Sequence, residues 1–207
     1  MEKYLRAGSS FVRRQYGPHL LLTLLFCMMS GFFLSFRNLG PDQAAKVMEM
    51  YGAFTGILLL TPLFLPEQNR EIWLLKESKE TPLWKLYLIR LFLAIIFLAV
   101  VITLFLQRMK QGGSQFEWKE LWIGSFCEIF FLGSIGFFVS GITNQIILGY
   151  MTAVIYFMVN IGGAKYLGKF ALFQMVKGTY DFIIFMFPAA LLFVAGGILL
   201  REKIYGA

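Results

Sequence analysis

Between Arg90 and Arg108 the chain carries no charged residue. A helix needs about 20 such residues to cross the roughly 30 Å hydrocarbon core of a bilayer. Comparable apolar runs cover residues 19–36, 47–65, 86–106, 121–140, 145–161 and 180–200, each bounded by polar or turn-forming residues. Apolar types make up 58% of the 207 residues and charged types 15%, against roughly 25% charged in soluble domains. A single fold of this size cannot hide that much apolar surface from water. The expected class is an all-α membrane protein, one transmembrane domain over residues 1–207 with six transmembrane helices.

The formal net charge is +7, from 19 Lys and Arg and 12 Asp and Glu. These cations lie mostly between the apolar runs, where they anchor flanks and set topology, so no nucleic-acid partner is expected. With the amino terminus placed inside, eleven Lys and Arg fall on the cytoplasmic side and eight outside. That bias predicts a multi-pass protein of the cell membrane with both termini cytoplasmic. Cys27 and Cys127 sit inside apolar runs and His19 is the sole histidine. Metal hydrolysis needs two or more His or carboxylate ligands at helical spacing, so no metal site, catalytic residue or enzyme activity is expected in this chain.

Residues 1–17 read as an amphipathic interfacial helix rather than a signal peptide, since no small-residue cleavage site follows. Tyr4, Leu5, Gly8, Phe11, Val12 and Tyr16 share one face, and Lys3, Arg6, Arg13 and Arg14 the other. Arg6, Arg13 and Arg14 are the expected membrane-interface residues. Gly17-Pro18 then breaks the helix. Residues 162–179 mix Lys165, Lys169 and Lys177 with Tyr166, Phe170, Leu172 and Phe173. They are too apolar for a free loop and too charged for a span, so a semi-buried outer hairpin is expected. Pro188 and Gly196-Gly197 interrupt the last run, as bundle neighbours permit.

Residues 66–82 form the longest cytoplasmic segment. Pro66 suits a first helical turn, Glu67 and Glu71 favour the positive end of a helix dipole, and Lys76 and Lys79 its negative end. Pro82 ends the helix. Ile72, Trp73, Leu74 and Leu75 make an apolar patch among these charges, suited to a protein groove or to lipid headgroups.

In the order of these parts the chain resembles the membrane subunit of ABC-2-type transporters. The shared features are the basic amino-terminal helix, six spans, the Glu-led helix after Pro66 with Pro82 and Arg90 downstream, and the semi-buried hairpin before the last span. The resemblance covers essentially the whole chain, although no single motif within it is specific and the outer loops are short. It implies a coupling helix at 66–82 in which Glu67, Arg70, Glu71, Trp73 and Leu74 contact a separate ABC ATPase subunit. That subunit would bind the ATP and Mg, leaving no cofactor in this chain. It further implies a second permease subunit, identical or not, completing the pathway. The many Phe and Met suit an apolar cargo, such as a hydrophobic peptide or a lipid-like molecule.

Two other features bear on function. Gly163 to Phe170 nearly matches a phosphate loop, but Phe170 replaces the Mg-binding hydroxyl and no strand precedes it. Glu128 lies well inside the fourth run, where acids cost about 2.5–3.5 kcal/mol on insertion scales; it is the candidate for a translocation path, or bonds Ser125 or Thr103. Glu49 is expected at the interface, Asp181 likewise, and Asn144, Gln145 and Asn160 at helix ends. The alternatives are a stand-alone ion-coupled carrier or channel, which needs polar groups within the spans, and a membrane anchor or immunity protein.

Overall fold

The computed structural model describes residues 16–33, 36–68 and 83–205, the side chains of 31–33 excepted. All regular structure among them is helical: α1 (Gly17–Phe33), α2 (Pro41–Gln68), α3 (Leu83–Gln111), α4 (Trp118–Thr143), α5 (Ile146–Leu167) and α6 (Ile183–Tyr205). Five of these, α2 to α6, are long and apolar enough to cross a membrane, and α1 is a shorter apolar helix. Of the expected interfacial helix, residues 1–17, the stretch 1–15 lies outside the described residues, and of the expected coupling helix, residues 66–82, the stretch 69–82 does; with them lie Arg6, Arg13, Arg14, Arg70, Glu71, Trp73 and Leu74.

The second helix begins six residues before the expected boundary at 47, because Pro41 sits in its first turn and Asp42 favours the positive end of the helix dipole. It is not uniform. A π turn at Met48–Gly52 and a closing 3-10 stretch at Thr61–Gln68 bracket its regular part. The fifth helix also outruns its expected end at 161. It continues to Leu167 across a kink at Gly163, so the near-match to a phosphate loop is helical along most of its length.

At one end of the bundle, the turns before α2 and after α3 are laced together. Asn38 N–H donates to Gly112 O (2.8 Å), Gln115 N–H to Leu39 O (2.9 Å) and Leu39 N–H to Ser114 Oγ (3.2 Å). The segment between α5 and α6 also lies at this end, called here the hairpin end. At the other, the α4–α5 turn is closed by Asn144 in a left-handed conformation (φ 53°), which asparagine tolerates better than most residues.

α4 is the centre of the bundle and packs against α6, α2 and α5. Lipid offers no hydrophobic drive between helices, so close backbone approach must supply contact. Glycines provide it. A Cβ on Gly56 would strike the Ile129 carbonyl, one on Gly149 the Gly136 carbonyl, and one on Gly141 would crowd Phe64 and the Gly197 carbonyl. Aromatic rings fill the remaining space, with Phe64 against Phe137 (4.4 Å between centroids) and Tyr87 (4.9 Å). The outward faces of α3, α5 and α6 carry exposed Phe, Ile, Leu and Met, as lipid-facing helices do.

Candidate functional site

Two buried polar clusters occupy opposite ends of the bundle. The first supports the segment between α5 and α6. Two short 3-10 turns, Gly168–Phe170 and Met175–Lys177, flank irregular backbone there. Irregular backbone at membrane depth must find donors and acceptors within the protein. Asn160 Oδ1 accepts from Leu172 N–H (2.7 Å), and Tyr156 O–H donates to Phe170 O (2.6 Å). Glu49 Oε1 accepts from Met175 N–H (2.6 Å) and its Oε2 from Val176 N–H (3.3 Å). Phe173 within this segment is held at φ 63°. Glu49 of α2 and Tyr156 and Asn160 of α5 thus hold the hairpin by its backbone.

Glu49 is 1% exposed, which corrects the interfacial placement. Its carboxylate is drawn inward by two amides that no helix satisfies. Glu128 is buried beside it. Gly52, three residues after Glu49, packs on Ile129, and Met175 Sδ lies over Gly124, four residues before Glu128. The expected partners of Glu128 are not used: Ser125 Oγ and Glu128 Oε1 are both buried without a hydrogen bond. Thr103 instead donates to Ala99 O (2.8 Å) and accepts from Trp122 Nε1 (3.1 Å). Above this pair opens a cavity of about 490 Å³ whose lining includes Asp42, Glu117, Glu120, Lys110, Met175 and Tyr180. Burial, reinforced by Glu120 and Glu49, pushes the Tyr180 phenol above its ordinary value.

The second cluster lies where α2 ends. Arg90 of α3 grips Glu67 with two parallel bonds, Nη1 to Oε2 at 2.8 Å and Nη2 to Oε1 at 2.9 Å, and Nη1 also donates to Leu63 O (3.1 Å). Both side chains are buried. Glu67 was expected to face a partner subunit; its carboxylate is instead turned into the bundle by Arg90. Next to this fork, Arg201 of α6 donates to Gly141 O (3.2 Å), Asn144 Oδ1 (2.8 Å) and Tyr87 Oη (3.4 Å). Its guanidinium also stacks over the rings of Phe64 (4.7 Å) and Tyr205 (5.4 Å). No carboxylate pairs with Arg201 among the described residues. Neutral acceptors and ring faces support its charge, an arrangement open to Arg because its planar cation is weakly hydrated.

Several of these roles escaped sequence reasoning. Arg201 and Arg90 read as flanking charges, Glu49 as interfacial, and Asn160 as a helix-end residue, whereas it lies inside α5 and holds the hairpin. Asn144 does end a helix, but its side chain serves Arg201; Gln145 starts α5 without a side-chain cap. Asp181, expected at the outer interface, is exposed. No group of three His, Cys, Asp or Glu among the described residues is placed to hold a metal. No protein-family model matches the chain, and no curated protein or solved structure is detectably similar to it.

Proposed function

We propose that the chain is the membrane subunit of an ATP-driven exporter of the ABC-2 type, with six spans, α1 being the first. In this reading the interfacial helix falls within residues 1–17, the coupling helix within residues 66–82 on the cytoplasmic side, and both termini are cytoplasmic. A second permease subunit completes the pathway, and separate ATPase subunits bind ATP and Mg. The cargo is a hydrophobic peptide or lipid-like molecule.

The observation that carries this reading is how the 69–82 segment is rooted. Glu67 stands two residues before it and is fixed to Arg90 of α3. Arg90 faces Tyr87 (6.0 Å), and Tyr87 meets Arg201 of α6. Arg201 in turn holds the α4–α5 turn through Gly141 and Asn144. A force applied to the loop therefore reaches α2, α3, α4, α5 and α6 through one cluster. A lever driven from a partner needs such a root; a passive anchor does not. The semi-buried hairpin between the last two long helices agrees with the same plan.

The test is co-purification. A candidate ABC ATPase co-expressed with the tagged chain should be retained, and Trp73→Ala should reduce retention without changing the thermal stability of the membrane domain. Failure to retain any such ATPase, or retention unaffected by Trp73→Ala and Arg70→Glu together, rejects the reading.

One observation favours the alternative of an ion-coupled carrier: the span interior holds Glu49 beside Glu128, not Glu128 alone. Intramembrane acids in such a pair are typical of ion pathways. Uptake into sealed vesicles driven by an ion gradient with no nucleotide present would select that class.

A further inference from the structure

α1 and α3 run side by side toward the hairpin end, and a groove of about 450 Å³ lies between them. Its floor is Val101 and Phe105, both buried, and its lips are Leu24, Met28 and Leu104, which are 52%, 75% and 52% exposed. The groove therefore opens sideways, on a face the fold directs at lipid. Phe36 closes its upper end, edge-on to Phe105 at 6.1 Å. Arg108 stands in the lining at that end. Arg37 follows Phe36 directly, and the backbone of both packs on Gly112, whose N–H donates to Arg108 O (3.2 Å). Both arginines are exposed, and neither is ion-paired among the described residues.

We propose that this groove is a binding site for an anionic phospholipid of the surrounding bilayer, one acyl chain lying between α1 and α3 and the phosphodiester meeting Arg108 and Arg37. Three observations select this occupant. The slot is apolar over its length and cationic at one end, the polarity of an anionic amphiphile. The rise from Val101 to Arg108 is about 10 Å at 1.5 Å per residue, which fits within the roughly 15 Å hydrocarbon depth of one leaflet. A lipid standing upright there brings its headgroup level with Arg108. Guanidinium groups bind phosphate oxygens in a bidentate fashion, so two of them at the rim discriminate by headgroup charge. The site is independent of the ATPase reading.

The full-length protein, delipidated in mild detergent, is to be titrated with phosphatidylglycerol and with phosphatidylcholine of the same chains and followed by native mass spectrometry. Phosphatidylglycerol should bind about tenfold tighter. Arg37→Gln with Arg108→Gln should remove that preference, and Leu104→Trp, which fills the slot, should weaken both lipids. Equal affinity of the parent for the two lipids overturns the proposal, as does a preference surviving the double Arg substitution. A second measurement needs no groove variant. Cys27 lines the groove, so with Cys127→Ser as background its maleimide labelling should slow when phosphatidylglycerol is added and not when phosphatidylcholine is added. Labelling that ignores phosphatidylglycerol, for instance because another part of the chain fills the slot, also overturns it.

Discussion

The bond between Glu67 and Arg90 permits a quantitative test of how the bundle is tied together. Their side chains are 0% and 6% exposed, and two bonds at 2.8 and 2.9 Å join them. Breaking a buried ion pair by removing one member costs about 3–5 kcal/mol. Glu67→Gln keeps one neutral acceptor and should fall near the lower figure. Arg90→Leu also strips a donor from Leu63 O and should fall near the upper one. Replacing both residues by Leu removes both charges of the fork, and such swaps are often neutral or stabilising. The Glu67→Leu/Arg90→Leu double variant should therefore be more stable than either single, with a coupling energy of about 3 kcal/mol. Thermal unfolding in mild detergent, calibrated by reversible denaturation, reads these differences. Single variants within about 0.5 kcal/mol of the parent, or a double variant whose loss equals the sum of the singles, would refute the buried fork.

Gly56→Ala should destabilise by about 1–3 kcal/mol, the cost of overpacking, because its new methyl meets the Ile129 carbonyl; Gly162→Ala, with open space around it, should be neutral or slightly stabilising in the same unfolding assay. Asn160→Leu orphans the Leu172 amide, and the expected loss of about 1–3 kcal/mol should appear together with faster hydrogen exchange at 171–176. Glu49→Gln should loosen the same segment, since its amide nitrogen would oppose the N–H of Met175 or Val176, whereas Glu128→Gln alters an acid whose Oε1 makes no hydrogen bond and should leave stability at or above the parent. If hydrogen exchange ranks Glu128→Gln as the more disruptive of the two, the assignment of Glu49 as the hairpin's anchor fails.

Most of the helical plan was legible because lipid imposes length and polarity on each crossing. The run after Arg90 could be read directly, since nothing but a span accommodates it. The boundaries moved where polar residues are satisfied inside the protein. Glu49 made 47 look like an interface, yet two amides from a segment 126 residues away allow the acid to be buried and the helix to begin at Pro41. Arg201 likewise reads as the charge that ends a span, and only tertiary structure supplies the carbonyl and the rings that bury it. Hydropathy prices each residue alone. It cannot register that a charge has a partner, so the two polar clusters were the least legible part of the chain.

The placement of those clusters bears on how the bundle can move. Helices α2, α4 and α5 meet through glycine and carbonyl groups, where Gly56, Gly133, Gly136 and Gly149 lie against facing backbone. The side chains of Ile129 and Thr61 also sit against these glycines, so the helices pack closely there, and directional hydrogen bonds hold them further out. The ends are fixed by such bonds: Glu67, Arg90 and Arg201 at one, Glu49 and Asn160 at the other. Motion delivered to either end is therefore passed through a close-packed middle to the opposite one. An ATP-driven lever starts at Glu67 and arrives at the hairpin; an ion entering beside Glu128 starts at the hairpin and arrives at Glu67. Because linkage between two sites is reciprocal, Glu49→Gln should alter partner retention at the 69–82 segment if the ends are coupled. The Glu67→Leu/Arg90→Leu pair should abolish that effect without unfolding the spans.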